Sequence, residues 1–218
     1  MRDYAATRHN MVEGQLRTNE VTEPRLIEAI EAVPRERFVP EHLRAIAYVD
    51  EDLEIAPGRY LMEPVVLARL LQAAEPRPED VVLEIGCGTG YAAVLLGRLV
   101  STVVALECAP ELAAKAEGNA AALGADNVAV VTGPLAEGFA RQAPYDVILV
   151  SGAVAEVPER LLGQLAEGGR LLAVVREDAA VGRATLFLKR HGVISRWVLF
   201  DAAVPLLPGF ESPQRFVF

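Results

Sequence analysis

The chain has 218 residues, 52% hydrophobic but only 6% aromatic, so one α/β core filled by Val, Leu, Ala and Ile is within reach. Lys and Arg total 21 against 30 Asp and Glu, a formal charge of −9 with no basic run, which disfavours a nucleic-acid partner. Two cysteines, Cys87 and Cys108, are too few for a disulfide scaffold, and the most apolar stretch, Val81 to Leu106, is broken by Glu84, glycines and Arg98, which excludes a membrane span. From the N-terminus, Met1 to Asn10 is charged and lacks an apolar run, so no signal peptide is expected; with reduced thiols this implies a cytoplasmic protein. Leu26, Ile27, Ile30 and Val33 share one helical face, with Thr22 as the cap and Pro24 in the first turn. Pro34 and Pro40 end that pattern. Residues 50–62 read as irregular, and Pro64 opens a second amphipathic helix over Val65 to Leu71.

From Val81 onward, β-branched runs alternate with helical stretches, the pattern of a mostly parallel sheet. Strands are predicted at Val81–Ile85, Val103–Glu107, Val128–Val131, Asp146–Val150 and Arg170–Val175. Helices are predicted over Tyr91–Leu99, from Pro110 to a stop at Gly124, and from Pro158 through Leu161, Leu162 and Leu165 to Gly168-Gly169. Thr185–Lys189, a turn at His191-Gly192, and Ile194–Phe200 form an antiparallel hairpin at one edge. The fold class is therefore a Rossmann-like, doubly wound three-layer α/β sandwich. Residues 1–80 are expected to be a helical cap within the same domain, over the ligand edge of an 81–218 core. The tail, Gly209 to Phe218, either closes over the site or covers an edge strand through Phe216 and Phe218.

The chemistry is concentrated in Leu83-Glu-Ile-Gly86-Cys87-Gly88-Thr-Gly90-Tyr91, between a strand and a helix. Gly86, Gly88 and Gly90 allow a sharp turn and a close approach of backbone to a ligand. Open α/β sheets bind ligands beyond the carboxyl ends of their strands, where this loop lies. A dinucleotide site would place its third glycine one residue later; here that position is Tyr91. Glu84 beside the loop would repel a pyrophosphate but suits the amino group of a methionine moiety. Glu107, closing the second core strand, can accept two hydrogen bonds from a ribose diol. The reading that follows is S-adenosyl-L-methionine as cofactor. The bland alternatives are a tight turn for the loop and a solvated acid for Glu107; for Asp146 a local structural pairing is favoured over a site role.

These motifs resemble the class I S-adenosylmethionine methyltransferases, and the chain is similar to one branch of them, the protein-L-isoaspartate O-methyltransferases. The likeness runs through Met11–Arg17, Val33–Pro40, Ala47–Asp50, the glycine loop, Tyr145–Val150, Glu156–Pro158 and Leu165–Leu171. It implies methyl transfer to the free α-carboxylate of isoaspartyl residues in damaged proteins or peptides. A carboxylate is already ionised at neutral pH, so no general base is required and no catalytic side chain is assigned. No metal is expected, the acidic charge already disfavours a nucleic acid, and a monomer is favoured. It places the cofactor against Glu84, Gly86, Cys87, Gly88, Gly90, Tyr91, Glu107, Cys108, Pro134 and Leu135.

Two departures from the family bear on the site. The family reads Gly-Gln-Thr-Ile-Ser before the proline that opens the second helix, its hydroxyls lining the active site. Here Gly58-Arg59-Tyr60-Leu61-Met62-Glu63-Pro64 stands instead. Arg59, Tyr60, Leu61 and Met62 are thus the substrate-binding candidates, with Arg59 able to hold an anion; packing under the cap is the alternative for Tyr60 to Met62. The family's Gly-Asp-Gly, whose Asp meets the adenine amino group, is replaced by Gly133-Pro134-Leu135, and Pro134 offers neither carboxylate nor N–H. The altered substrate motif also suits a different, smaller or apolar acceptor, and a non-catalytic module that binds the cofactor is the third reading.

Overall fold

Unbroken Val, Leu and Ile runs flanked by helices give strands covered on both faces. The computed structural model describes residues 3–176 and 181–210. Its core strands are β3 (Val81–Ile85), β4 (Thr102–Glu107), β5 (Val128–Thr132), β6 (Tyr145–Val154), β7 (Leu165–Val175), β8 (Gly182–Arg190) and β9 (Val193–Ala202), following a separate hairpin of β1 (Leu53–Ala56) and β2 (Arg59–Leu61). The seven-stranded sheet has the order β5-β4-β3-β6-β7-β8-β9. The first four junctions are parallel, and β7–β8 and β8–β9 are antiparallel, so the expected mixed edge is present. This is the Rossmann-like α/β fold read from the alternation.

The strands sort their side chains by parity. Val82, Val103, Ala105, Val147 and Leu149 face a layer made by α2 (Pro24–Ala32), α3 (Pro64–Ala73), α4 (Tyr91–Gly97) and α5 (Pro110–Ala122). Leu83, Ile85, Val104, Leu106, Ile148 and Val150 face the other layer, which includes Leu161 of the short α6 (Glu159–Leu162) and Leu207. Glu84, between Leu83 and Ile85, is therefore turned toward α4. Residues from the N-terminal region, from Met11 to Met62, share one apolar core with the sheet.

Several local expectations are corrected. The cap of α2 is Glu23, whose carboxylate accepts the Leu26 N–H at 2.5 Å; Thr22 instead donates its own N–H to Gln72 Oε1. Gln72 Oε1 accepts the N–H groups of both Thr22 and Glu23, and it is the Glu23 side chain that reaches the first turn. The helix after Pro64 is one-sided as read: Arg69, Gln72 and Ala73 form its half-exposed stripe, and Val65 to Ala68, Leu70 and Leu71 are buried. Residues 50–62 are not irregular throughout: β1 and β2 pair antiparallel about Pro57-Gly58. The helix from Pro158 stops at Leu162, and Leu165 pairs with Tyr145 as the first residue of β7. An unforeseen helix, α1 (Tyr4–Met11), is capped by Asp3, which accepts the Ala6 N–H at 3.0 Å. Asp146 does pair structurally, accepting the Val81 N–H at 2.9 Å. Phe216 and Phe218 lie outside the described residues. Among the described residues, no helix is long and apolar enough to cross a membrane.

Candidate active site

The loop after β3 needs its glycines for geometry. Gly86, Gly88 and Gly90 have φ of +79°, +56° and +90°, a region L side chains rarely enter. A Cβ on Gly88 would stand 2.7 Å from Ile55 Cδ1, and one on Gly90 would stand 3.1 Å from the Ala116 Cβ. The loop is pinned from three directions. Gly86 and Cys87 donate N–H to the Leu106 carbonyl at 2.8 and 3.1 Å. Thr89 donates its hydroxyl to the Phe38 carbonyl at 2.6 Å, and Asn119 donates to the Thr89 carbonyl at 3.0 Å.

Glu107, fully buried where β4 ends, faces this loop. Its Oε2 accepts the Gly88 N–H at 2.8 Å, and its Oε1 accepts the N–H groups of Cys108 and Ala109 at 2.8 and 3.0 Å. Arg59 grips the same carboxylate bidentately, Nη1 to Oε1 and Nη2 to Oε2, the latter at 2.8 Å. Burial pushes the Glu107 carboxyl upward, but the Arg59 and backbone donors outweigh it and hold the group below the usual carboxylate range. Arg59 reaches it because the turn at Gly58 (φ +68°) starts β2 and its alternation turns Arg59 inward.

Glu84 presents the opposite environment. It is 1% exposed, its Oε1 accepts the Ser151 hydroxyl at 2.7 Å, and its Oε2 has no hydrogen-bond partner. Burial pushes this carboxyl up to about 7; the Ser151 hydroxyl opposes that, the nearby Glu107 charge adds to it, and the Ala93 backbone and the Arg59 cation oppose it more weakly. An orphaned, buried carboxylate oxygen is costly unless a ligand donor completes it.

A narrow cleft opens beside these acids, lined in part by Asp52, Arg59, Tyr60, Met62, Ser151 and Leu207. Leu207 belongs to the strap after β9: Ala153 donates N–H to the Pro205 carbonyl at 2.9 Å, and Leu207 donates back to Ala153 at 2.8 Å. A Cβ on Gly86 would meet the Leu207 methyls at 3.0 Å, and one on Gly152 would meet its Cγ at 2.5 Å.

The structure thus brings Arg59, Tyr60 and Met62 to one cleft, and Arg59, Gly88, Glu107 and Cys108 to one cluster, the Cys108 thiol lying 3.6 Å from Arg59 Nη1. Other candidates are placed elsewhere. Leu61 is buried opposite Leu53 in the hairpin. The Tyr91 ring packs edge-on to Phe38 at 5.2 Å and lies under the Arg35 guanidinium at 5.0 Å, facing the N-terminal region. Burial drives both the Tyr91 hydroxyl and the Cys87 thiol upward, as expected of packed, neutral side chains. Leu135 lies in the core beside Ile85 and Leu106; Pro134 begins a single tight turn next to Gly133, whose N–H reaches the Glu107 carbonyl at 3.0 Å.

Residues not singled out from the sequence complete the site. Fully buried Arg35 donates to the carbonyls of Ala47 and Met62 at 2.7 and 2.8 Å, fixing the segment that carries Met62. Asp50 and Asp52 accept the N–H groups of Val65 and Glu63 at 3.0 and 2.9 Å. Arg35 and Asp50 fall inside the segments 33–40 and 47–50 already notable as motifs, but Ser151 carried no local signal.

The residues suit a methionine-derived nucleoside: an orphaned acid for an ammonium, glycines where a Cβ has no room, and a strand-end acid, here paired with Arg59, of the kind that accepts from a diol. The family model of protein-L-isoaspartate(D-aspartate) O-methyltransferases (PCMT) matches residues 6–200. The chain belongs to this family. It is 44% identical to the protein-L-isoaspartate O-methyltransferase of Koribacter versatilis, covering 97% of this chain and 96% of the relative. It is 40% identical to that of Methanoculleus marisnigri, covering 93% and 92%. A solved protein-L-isoaspartate O-methyltransferase superposes with a TM-score of 0.82 at 28% identity, covering 93% of this chain and 66% of that one. A Plasmodium falciparum β-aspartate methyltransferase, solved in complex with S-adenosyl-L-homocysteine, gives a TM-score of 0.80 over 95% of this chain and 99% of that one; at 21% identity it speaks for the fold. As a family member this chain carries Arg59, Tyr60 and Met62 in the segment before α3.

Proposed function

We propose that the chain transfers the methyl group of S-adenosylmethionine to the free α-carboxylate of an L-isoaspartyl residue in a protein or peptide, as its family's name describes. The observation that carries this reading is the meeting of the glycine loop and Glu107 with a cleft holding the Arg59 cation and the Tyr60 hydroxyl. When bound, the cofactor supplies the sulfonium-activated methyl. The side chains contribute binding and alignment. Glu107 suits the sugar hydroxyls, Glu84 suits the amino group, and Arg59 and Tyr60 give an anionic acceptor a counter-charge and a hydrogen-bond donor. Leu207 and Met62, both buried, narrow the cleft with apolar surface and keep water from the acceptor oxygen. An ionised nucleophile needs only this alignment, so no proton has to be moved.

Met62, with 3% of its surface exposed, places a thioether where the family carries a hydroxyl, and this favours a second reading: the same chemistry on a less polar acceptor. Incubation with methyl-labelled cofactor and an isoaspartyl peptide separates the readings. Base-labile label on the peptide is expected. Label only on other acceptors would select the second reading, and S-adenosylhomocysteine binding without any transfer would leave a cofactor-binding module.

A further inference from the structure

The two N–H groups that Arg59 directs at the Glu107 oxygens have the spacing and donor character of the two hydroxyls of a ribose diol. A guanidinium and a diol cannot hold the same pair of carboxylate oxygens together. We infer that Arg59 and the cofactor's ribose exchange at Glu107, and that the displaced guanidinium becomes the anchor for the acceptor carboxylate, so that the cofactor binds first and completes the substrate site. This rests on the methyltransferase reading above.

Three features support the exchange. Glu107 keeps its place without Arg59, because the N–H groups of Gly88, Cys108 and Ala109 hold both oxygens independently. Arg59 is carried on a two-stranded hairpin outside the seven-stranded sheet, directly after the Gly58 turn, so its movement leaves the sheet intact. Its Nε is buried and unpartnered, so the guanidinium retains donor capacity on the side away from Glu107. Displaced from a carboxylate into a cleft lined with Met62 and Leu207, it would be a partly desolvated cation without a counter-ion. An acceptor carboxylate restores the bidentate pairing that was lost. In reverse, Arg59 can reclaim Glu107 once the acceptor has become a neutral ester, which favours departure of the spent cofactor.

The test is calorimetry on the intact protein with S-adenosylhomocysteine and an isoaspartyl peptide. Arg59→Gln should bind S-adenosylhomocysteine about tenfold tighter than wild type, since a competitor is removed. A residue that merely supported the fold would not tighten binding when lost. The same variant should raise the KM for the peptide more than it lowers kcat. Independently of any variant, wild type should bind the peptide about tenfold tighter with S-adenosylhomocysteine at saturation than without it. Equal or weaker cofactor affinity in Arg59→Gln, or peptide affinity indifferent to S-adenosylhomocysteine in wild type, overturns the exchange alone. Absence of S-adenosylhomocysteine binding by either protein overturns the methyltransferase reading and the exchange with it.

Discussion

Two acids stand on neighbouring strands a few ångströms from one glycine loop, and their surroundings drive their titrations apart. Glu107, ringed by donors, is held below the usual carboxylate range; Glu84, buried with one orphaned oxygen, is pushed up to about 7. The ionised Glu84 pairs by charge with an ammonium and the protonated form does not, so S-adenosylhomocysteine should bind more tightly as pH rises from 6 to 8, by up to about tenfold for a group that titrates midway. Calorimetry at the two pH values checks this, and Glu84→Gln should flatten the profile. A slope that survives in the variant would assign the titration to another group. Gly88 makes a second prediction. Its N–H serves Glu107, its φ is +56°, and a Cβ there would press on Ile55. Gly88→Val should abolish S-adenosylhomocysteine binding and cost about 1–2 kcal/mol of stability from the left-handed backbone alone. Titration and thermal melting read the two effects separately; a variant that binds normally would reduce the loop to a turn. Glu107, Glu84 and the three glycines were legible because each is defined by its place at a strand end. The partner of Glu107 was not, because Arg59 lies 48 residues away along the chain and only the hairpin brings it there.

At the level of elements, the sequence reveals what local periodicity determines. The β3–β7 strands and the edge hairpin follow from β-branched runs, those of β3, β4 and β5 ended by Gly86, Glu107 and Gly133, and α5 ends where Gly124 takes φ +64°. Elements defined by tertiary partners were obscured. The β1–β2 hairpin is only four and three residues long, though Pro57-Gly58 between Leu53-x-Ile55 and Arg59-x-Leu61 was a usable turn signal. The short α6 was overread because Leu161, Leu162 and Leu165 mimic a helical stripe, whereas Leu165 already pairs with Tyr145. The start of α3 is the most informative case. Pro64 has no N–H, and Glu63 makes no side-chain cap, so the N–H groups of Glu63 and Val65 are satisfied from outside the helix by Asp52 and Asp50. Asp50→Ala should therefore behave as the loss of a helix cap and cost about 1 kcal/mol, read by urea denaturation. It also loosens the segment joining the hairpin to α3, which carries Met62, so the KM for an isoaspartyl peptide should rise. A loss of stability without any change in KM would confine Asp50 to capping.

For the whole molecule, the unusual acids predict how stability depends on pH. Glu84 and Glu63 are both pushed up to about 7 from an ordinary 4.5, in each case by burial first, with Glu107 adding for Glu84 and Asp52, Asp50 and Glu51 adding for Glu63. Each binds a proton in the folded chain over a range where the unfolded chain has released it, so stability falls as pH rises from about 4.5 through about 7. Glu107 acts oppositely: its folded value is lowered, so its contribution is present above the ordinary value and is lost only in stronger acid. The net charge of −9 adds self-repulsion on the alkaline side, in the same direction as Glu84 and Glu63. Between pH 6 and pH 8 the Glu84 contribution alone amounts to about 1 kcal/mol, or about 2–4 °C in melting temperature for a chain of this size. Calorimetric melting should show the lower temperature at pH 8, and Glu84→Gln should narrow the difference. Saturating S-adenosylhomocysteine should narrow it too, because an ammonium against Glu84 removes the reason for that carboxyl to stay protonated. If the ligand raised the melting temperature by the same amount at both pH values, the ammonium would have to be placed away from Glu84, and the orphaned oxygen would need another partner.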